Sequence, residues 1–205
     1  MENTSKLLAL PKLRKLRFDE FEDVEVLLED IVKARGQDIV GLTCNENFWL
    51  WVSHCRFQNV RKLTIINEGV VEGMWCAESF NDTLGDFPQL TELYLIDISV
   101  WAGDSFWEMI RSCPQLQLIY LQNHEITDGF LEFNASSMGK ALCHRQEPLT
   151  IHFSSLENNH KNLYIPQIVQ VLNHPKVKLS FEVIKDAYPI LVGGLIELEF
   201  TPLMT

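Results

Sequence analysis

The sequence has few basic residues and no long apolar segment, and both shortages narrow the possible functions. Its 205 residues include 17 Lys and Arg against 28 Asp and Glu, which gives a formal net charge of −11. Affinity for DNA or RNA depends largely on basic side chains that neutralise phosphates, so nucleic acid is not expected as a partner. The longest nearly uncharged apolar run, residues 187–196, is about half of a membrane span. With a polar amino terminus, the chain is expected to be intracellular, cytoplasmic or nuclear, with no membrane partner.

Signatures of metal binding and catalysis are also missing. The five cysteines are odd in number and unevenly spaced, and no C-x-x-C pair occurs, which indicates reduced thiols. The sequence has no nucleophile elbow, phosphate-binding loop, dinucleotide fingerprint or metalloprotease motif. Four histidines in the second half, at positions 144, 152, 160 and 174, lack the spacing of metal ligands. We therefore expect a protein that is not an enzyme and has no cofactor or metal.

One short pattern recurs along the chain. The clearest copies are FPQLTELYL at residues 87–95 and CPQLQLIYL at residues 113–121, and two more copies follow the same apolar template at residues 10–18 and 57–65. Weaker copies begin near residues 39, 151, 179 and 198, which brings the total to eight at a mean step of 26 residues. Apolar residues alternate with period two within each copy, and this period predicts a strand.

The stretches between the copies carry the signals of helices. Apolar residues recur at helical intervals in residues 21–31, and Gly36 predicts the end of that helix. Ser105 and Glu108 form a capping box that predicts the start of a second helix. Pro166 predicts the first turn of a third helix, since proline is tolerated there. Each repeat is therefore expected to contain one short strand and one helix.

A single strand and helix of this length cannot bury both of their apolar faces, so the repeats are expected to stack. The sequence thus predicts one α/β domain over residues 1–205, a solenoid of about seven to eight irregular repeats. Its parallel sheet would line the concave side, and its helices would cover the convex side.

A leucine-rich signature is present in the fifth copy, in Leu116, Ile119, Leu121 and Ile126. This copy resembles the leucine-rich repeat family, most closely the ribonuclease-inhibitor-like subclass and the repeat half of F-box/leucine-rich-repeat ubiquitin-ligase receptors. The resemblance implies a protein-recognition module linked to the selection of substrates for ubiquitination. The first repeat begins near Leu10, so binding to a ubiquitin-ligase adaptor is expected only if an F-box lies outside this chain.

The strand pattern also predicts which side chains face a partner. Inward apolar residues alternate with residues that line the concave face, and two tyrosines fall on this face in adjacent strands. Tyrosine is favoured at binding hot spots because its ring is apolar and its hydroxyl forms hydrogen bonds. The predicted partner-binding residues are Tyr94, Tyr120, Ile66, Ile96, Leu118, His152 and Glu92. Coverage of this patch by a loop or by the tail of the chain is the alternative.

Charge is divided unevenly along the chain. Residues 63–110 contain nine acidic residues and no Lys or Arg, whereas residues 140–180 contain five basic and two acidic residues. One alternative function is therefore an acidic inhibitor or scaffold that captures a basic protein through residues 72–108. Solvated helix faces explain such acidic residues as well. A second alternative is an enzyme or ligand-binding domain that uses the histidine-rich second half.

Overall fold

The computed structural model describes residues 13–18, 32–45, 57–67, 84–98, 103–122, 131–132, 134–154, 161–181 and 196–200. Eight strands lie in these residues: β1 Leu13–Phe18, β2 Gly41–Asn45, β3 Lys62–Ile66, β4 Glu92–Ile96, β5 Leu118–Gln122, β6 Leu149–Ser154, β7 Val177–Ser180 and β8 Ile196–Phe200. The same residues contain helices α1 Gly103–Ser112, α2 Ala135–Leu142 and α3 Lys161–Val171, and a helical turn at residues 32–35.

The first seven strands form one parallel sheet in chain order. Their register follows the repeats, because Leu63, Leu93 and Ile119 are successive cross-strand partners. At the start of β2 to β6 an N–H of one unit donates to a carbonyl of the preceding unit, as Gln117 does to Thr91 (2.8 Å). The α/β class and the solenoid-like stacking of the repeats are therefore confirmed.

The last strand departs from the predicted order. β8 pairs antiparallel with β1, with Leu16 opposite Leu198, so the sheet order is β7-β6-β5-β4-β3-β2-β1-β8. The prediction that an eighth unit follows the seventh is therefore wrong. Alternation of apolar and polar residues fixes which face a strand buries, but it does not specify which edge of the sheet the strand joins.

Two of the predicted helix starts are also wrong. α1 begins at Gly103, before the expected cap at Ser105, and Pro166 lies inside α3 rather than in its first turn. The predicted helix end at Gly36 is confirmed, and its N–H donates to the Val32 carbonyl (2.8 Å). A Cβ on Gly36 would lie 2.6 Å from that carbonyl oxygen, so the close approach requires glycine. The apolar helix face predicted in residues 21–31 lies outside the described residues.

The hydrophobic core includes the inward residues of the strands and the apolar side of the helices. Leu63, Leu93 and Ile119 are fully buried in the sheet, as are Phe106 and Ile110 of α1. Cys44 and Cys113 lie in the same core, where each thiol fills a small apolar space. Burial raises the pKa of the Cys113 thiol to about 12 and also raises the pKa of Cys44.

The repeated x-P-Q-L segments form the turns that lead into β4 and β5. The N–H of Leu90 donates to the Phe87 carbonyl and that of Leu116 to the Cys113 carbonyl, both at 3.1 Å. Proline in the second position favours such turns because its φ is already set. The first and last residues of each turn are buried in the core, and the rings of Phe57 and Phe87 stack at 6.0 Å.

The turn before β6 places a charged residue in the equivalent position. Register between β5 and β6 aligns Leu118 with Thr150, and the same offset aligns Cys113 with Arg145. Arg145 also repeats the backbone bond of this position, since its N–H donates to Leu142 (3.2 Å) as that of Cys113 donates to Ile110 (3.3 Å). A buried guanidinium therefore replaces an apolar side chain, and its exposed fraction is only 8%.

Carbonyl oxygens surround this guanidinium. Nη2 of Arg145 donates to the carbonyls of Ile110 (3.0 Å) and Cys113 (2.7 Å), and Nη1 donates to that of Leu116. The last carbonyls of a helix lack the usual donor four residues later, so the bond to Ile110 caps the end of α1, and the bonds to Cys113 and Leu116 hold the turn that follows it. Lys176 does the same one unit later, since its Nζ donates to the carbonyls of Leu142, Cys143 and Arg145 at 3.2, 3.1 and 2.9 Å.

Candidate protein-binding face of the sheet

The face of the sheet opposite the core carries a row of polar and aromatic residues. Thr64, Tyr94, Tyr120 and His152 are cross-strand partners in β3 to β6, and none of the four belongs to the hydrophobic core cluster. Side chains alternate between the two faces of a sheet, so this row faces away from the helices. We call this surface the outer sheet face and these four residues its middle row. The predicted alignment of Tyr94 with Tyr120 is confirmed.

The aromatic members of the middle row stack on one another. Ring centroids of Tyr94 and Tyr120 are 5.2 Å apart, and those of Tyr120 and His152 are 4.9 Å apart with planes inclined by only 12°. Nζ of Lys62 lies 4.1 Å from the centroid of Tyr94. Such ring pairs and cation contacts each stabilise by about 0.5–1.5 kcal/mol. The three stacked rings are therefore an ordered unit, and the amine of Lys62 lies against the Tyr94 ring at one end of it.

A carboxylate holds Tyr94 from another direction. The Tyr94 hydroxyl donates to Oε2 of Glu92 (3.1 Å), two residues earlier in β4. Glu92 and Lys62 are themselves cross-strand partners. The Tyr94 ring thus contacts Tyr120 and Lys62, while its hydroxyl is held by Glu92, so its orientation is fixed before any partner arrives.

Exposure separates the predicted partner-binding residues into two groups. Four of them are half-buried and accessible at the surface: Tyr94, Glu92, Leu118 and Ile66. The expectation of accessibility is wrong for the other three, because Tyr120 is 1% exposed and Ile96 and His152 are each 5% exposed. Ring stacking explains part of this burial, since Tyr120 lies between the rings of Tyr94 and His152.

The buried hydroxyl of Tyr120 forms no hydrogen bond with the residues that the structure describes. A buried polar group without a partner destabilises a fold by about 1–3 kcal/mol. Tyr120 therefore supports Tyr94 by packing rather than by an internal hydrogen bond. A contribution of Tyr120, Ile96 and His152 to binding stays a prediction. Tyr120 would act on a partner through its ring contact with Tyr94.

The described acidic residues of the first half lie beside or within β4 and on α1. Asp86 and Asp97 are exposed before and after β4, whereas Asp104 and Glu108 are exposed on α1. Asp104 accepts a hydrogen bond from the N–H of Asn134 (3.0 Å), which links α1 to the start of α2. Residues 68–82 of the acidic stretch lie outside the described residues. One acidic surface for a basic protein therefore stays a prediction.

The described histidines of the second half are also dispersed. His144 is exposed after α2, His152 is buried in β6, and Nδ1 of His174 accepts from the N–H of Lys176 (3.1 Å). Within the described ranges, no group of three His, Cys, Asp or Glu residues could hold a metal ion. His160 lies outside those ranges.

Comparison of the sequence with known protein families finds no family that matches, and comparison with curated proteins finds no match either. In the part of the chain that the structure covers, no helix has the length and apolar character needed to cross a membrane.

Proposed function

We propose that this chain is a leucine-rich repeat solenoid of the ribonuclease-inhibitor-like subclass that binds a protein or peptide and carries out no reaction. Seven parallel strands in chain order and the buried x-P-Q-L turns support this proposal. A solenoid of this kind offers a broad sheet surface along which an extended partner can lie.

The aromatic stack on the outer sheet face is the observation that carries the proposal. Tyr94 is half-buried and is held by Lys62, Glu92 and Tyr120, so it meets a partner with little loss of side-chain entropy. Hot spots at protein interfaces are enriched in tyrosine for this reason. Ile66 and Leu118 are also half-buried, in the strands on either side of Tyr94, and extend the apolar contact area.

Selection of substrates for ubiquitination is the narrower proposal. It is supported by the resemblance of the repeats to those of F-box/leucine-rich-repeat receptors, in which the repeats recognise the substrate. Adaptor binding would then require an F-box outside this chain. Affinity purification from cells tests this role, because recovery of adaptor and cullin subunits is expected for a ligase receptor.

A substitution at Tyr94 tests the binding face. We expect Tyr94→Ala to weaken binding to any partner recovered with the wild-type chain by about 2 kcal/mol, roughly 30-fold in Kd. Glu108→Ala is the matched control, since Glu108 is exposed on α1, away from the sheet. Titration calorimetry with the purified partner measures both variants, and circular dichroism verifies that they fold. Equal affinity of Tyr94→Ala and wild type would contradict the proposed face.

A further inference from the structure

The hydrophobic core is incompletely covered at the edge of the sheet that β7 forms. In the register of the sheet, Val177 and Leu179 of β7 follow Leu149 and Ile151 of β6. Leu149 and Ile151 are fully buried, whereas Val177 and Leu179 are only half-buried, as is Phe181 directly after β7. Among the described strands, none pairs with β7 on the side away from β6. This edge therefore exposes apolar surface that a further strand would bury.

The backbone of β7 also presents hydrogen-bonding groups on this open side. The N–H of Leu149 donates to the Lys176 carbonyl (2.9 Å), so the backbone groups of residue 176 point toward β6. Their direction alternates along a strand, so Lys178 and Ser180 also point toward β6, and Leu179 points away from it. The N–H and carbonyl of Leu179 are thus available to a strand that is added at this edge.

The β7 edge is basic, although the chain as a whole is acidic. Residues 161–181 contain three lysines and no Asp or Glu. Lys178 is exposed, and its cross-strand partner is the neutral Thr150. Nζ of Lys176 donates to three carbonyls, which leave its charge in place, and neither lysine forms an ion pair with the described residues. A second copy of this edge would add like charge, so the edge favours an acidic strand over self-pairing.

The opposite edge of the same sheet shows which kind of strand suits such an edge. β8 alternates apolar and acidic residues, in the sequence IELEF, and pairs antiparallel with β1. It places Leu198 opposite Leu16 and Glu199 opposite Lys15. With β8 in place Leu16 is only 1% exposed, whereas Leu179 in the equivalent column of the sheet is half-buried. β7 carries the same alternation of apolar residues and lysine, but its complementary strand is absent from the described residues.

We propose that the β7 edge binds an extended segment of a partner protein in which apolar and acidic residues alternate. The segment adds to the sheet as an antiparallel strand, as β8 does on β1, with an apolar residue opposite Leu179 and an acidic residue opposite Lys178. This edge lies three strands from Tyr94, so the inference goes beyond the proposed function and does not depend on it.

A peptide with the β8 sequence tests the inference. The probe contains IELEF between pairs of glycines, and the charge-reversed peptide contains IKLKF in its place. Fluorescence anisotropy with the full chain should show about ten-fold tighter binding of the acidic peptide. Lys178→Glu should weaken its binding about five-fold, by removing one attraction and adding one repulsion. Arg61→Glu is the matched control and should change binding less than about two-fold, since Arg61 is exposed before β3, four strands away and beyond the screening length.

Methylation of the peptide backbone distinguishes an added strand from a contact between charges. In antiparallel pairing the N–H of the peptide leucine faces Leu179, whereas that of the first glutamate faces away. N-methylation of the leucine should therefore weaken binding about ten-fold, and N-methylation of the glutamate less than about three-fold. Equal effects of the two methyl groups would overturn strand addition, and the reverse order would overturn the antiparallel direction.

Hydrogen exchange of the Leu179 amide, followed by NMR, shows whether the edge is open. We expect fast exchange in the chain alone and exchange slowed at least about ten-fold by the acidic peptide. Slow exchange without peptide would overturn the proposal, and sedimentation velocity then shows whether the chain itself or a second copy covers the edge. Equal binding of the acidic and basic peptides would overturn the acidic partner.

A variant on the outer sheet face separates this proposal from the proposed function. Tyr94→Ala should bind the acidic peptide as the wild type does, because Tyr94 lies in β4. Loss of peptide binding in Tyr94→Ala would place the peptide on the outer sheet face and overturn the role of the β7 edge. Melting temperatures of all variants verify that each is folded.

Discussion

The turns before β4 and β5 differ in chemistry from the turn before β6, although all three occupy the same place in successive units. In the first two turns the buried residue is Phe87 or Cys113, and in the third it is Arg145. Phe87 packs on Phe57 of the preceding unit, whereas Arg145 donates hydrogen bonds to the carbonyls at the end of α1. One position of the repeat is therefore filled by apolar packing in the middle units and by a polar cap nearer the carboxyl terminus.

This difference shows that the repeat specifies a buried position rather than a hydrophobic residue. A charge in the core is costly unless hydrogen bonds replace its hydration, and the carbonyls of Ile110, Cys113 and Leu116 do so for Arg145. Burial lowers the pKa of Arg145. The units beyond β5 are thus joined by cations, first Arg145 and then Lys176, in addition to their apolar contacts.

The largest effect on the free energy of unfolding is expected for the apolar turn residue Phe87. Phe87→Ala should lower the free energy of unfolding by about 4 kcal/mol, because it removes a buried ring and leaves a cavity against Phe57. Urea denaturation followed by circular dichroism measures the loss, and Phe87→Leu, which keeps most of the volume, serves as the control. A loss below about 1 kcal/mol for Phe87→Ala would show that the turn position is not part of the core.

Sequence alone predicts the strands and their register well and the connections less well. Alternating apolar residues and the x-P-Q-L turns align Tyr94 with Tyr120 and His152, and the structure pairs the same residues. Period-two patterns determine faces, so they fail for β8, whose position depends on which edge of the sheet is open. The accessibility of Tyr120 was not predictable from the pattern, because burial on the outer sheet face depends on packing between units.

Arg145 was missed for a related reason. The sequence around it, RQEP, lacks the x-P-Q-L pattern, and a lone arginine is far more often exposed than buried. The signal that could have found it is the repeat offset, which aligns Arg145 with Cys113 once β5 and β6 are paired. Alignment of repeats by register therefore carries more information than alignment by residue type.

Removal of the buried cation is expected to have the next largest effect. Arg145→Met keeps an apolar stem of similar length but removes the hydrogen bonds that Arg145 donates to the carbonyls of Ile110, Cys113 and Leu116. We expect the free energy of unfolding to fall by about 2–3 kcal/mol, measured by urea denaturation. Arg35→Met is the control, since Arg35 is half-buried and forms an i,i+3 ion pair with Asp38 (2.7 Å), and this substitution should cost less than about 1 kcal/mol. If Arg145→Met left the free energy of unfolding unchanged or raised it, an apolar side chain would serve this position as well as the arginine does, and the proposed role of the hydrogen bonds would be contradicted.

The smallest effect concerns pH and the thiol that Arg145 faces. Burial raises the pKa of Cys113 from 9.0 to about 12, and the positive charge of Arg145 opposes this rise. The unfolded thiol ionises above about pH 9 while the folded thiol stays protonated until about pH 12, so stability is full below pH 9 and falls between these values. Each pH unit in this window costs up to about 1.4 kcal/mol for this thiol. Urea denaturation from pH 8 to pH 10.5 should therefore show a shallower decline for Cys113→Ala than for wild type, and equal slopes would contradict the role of this thiol.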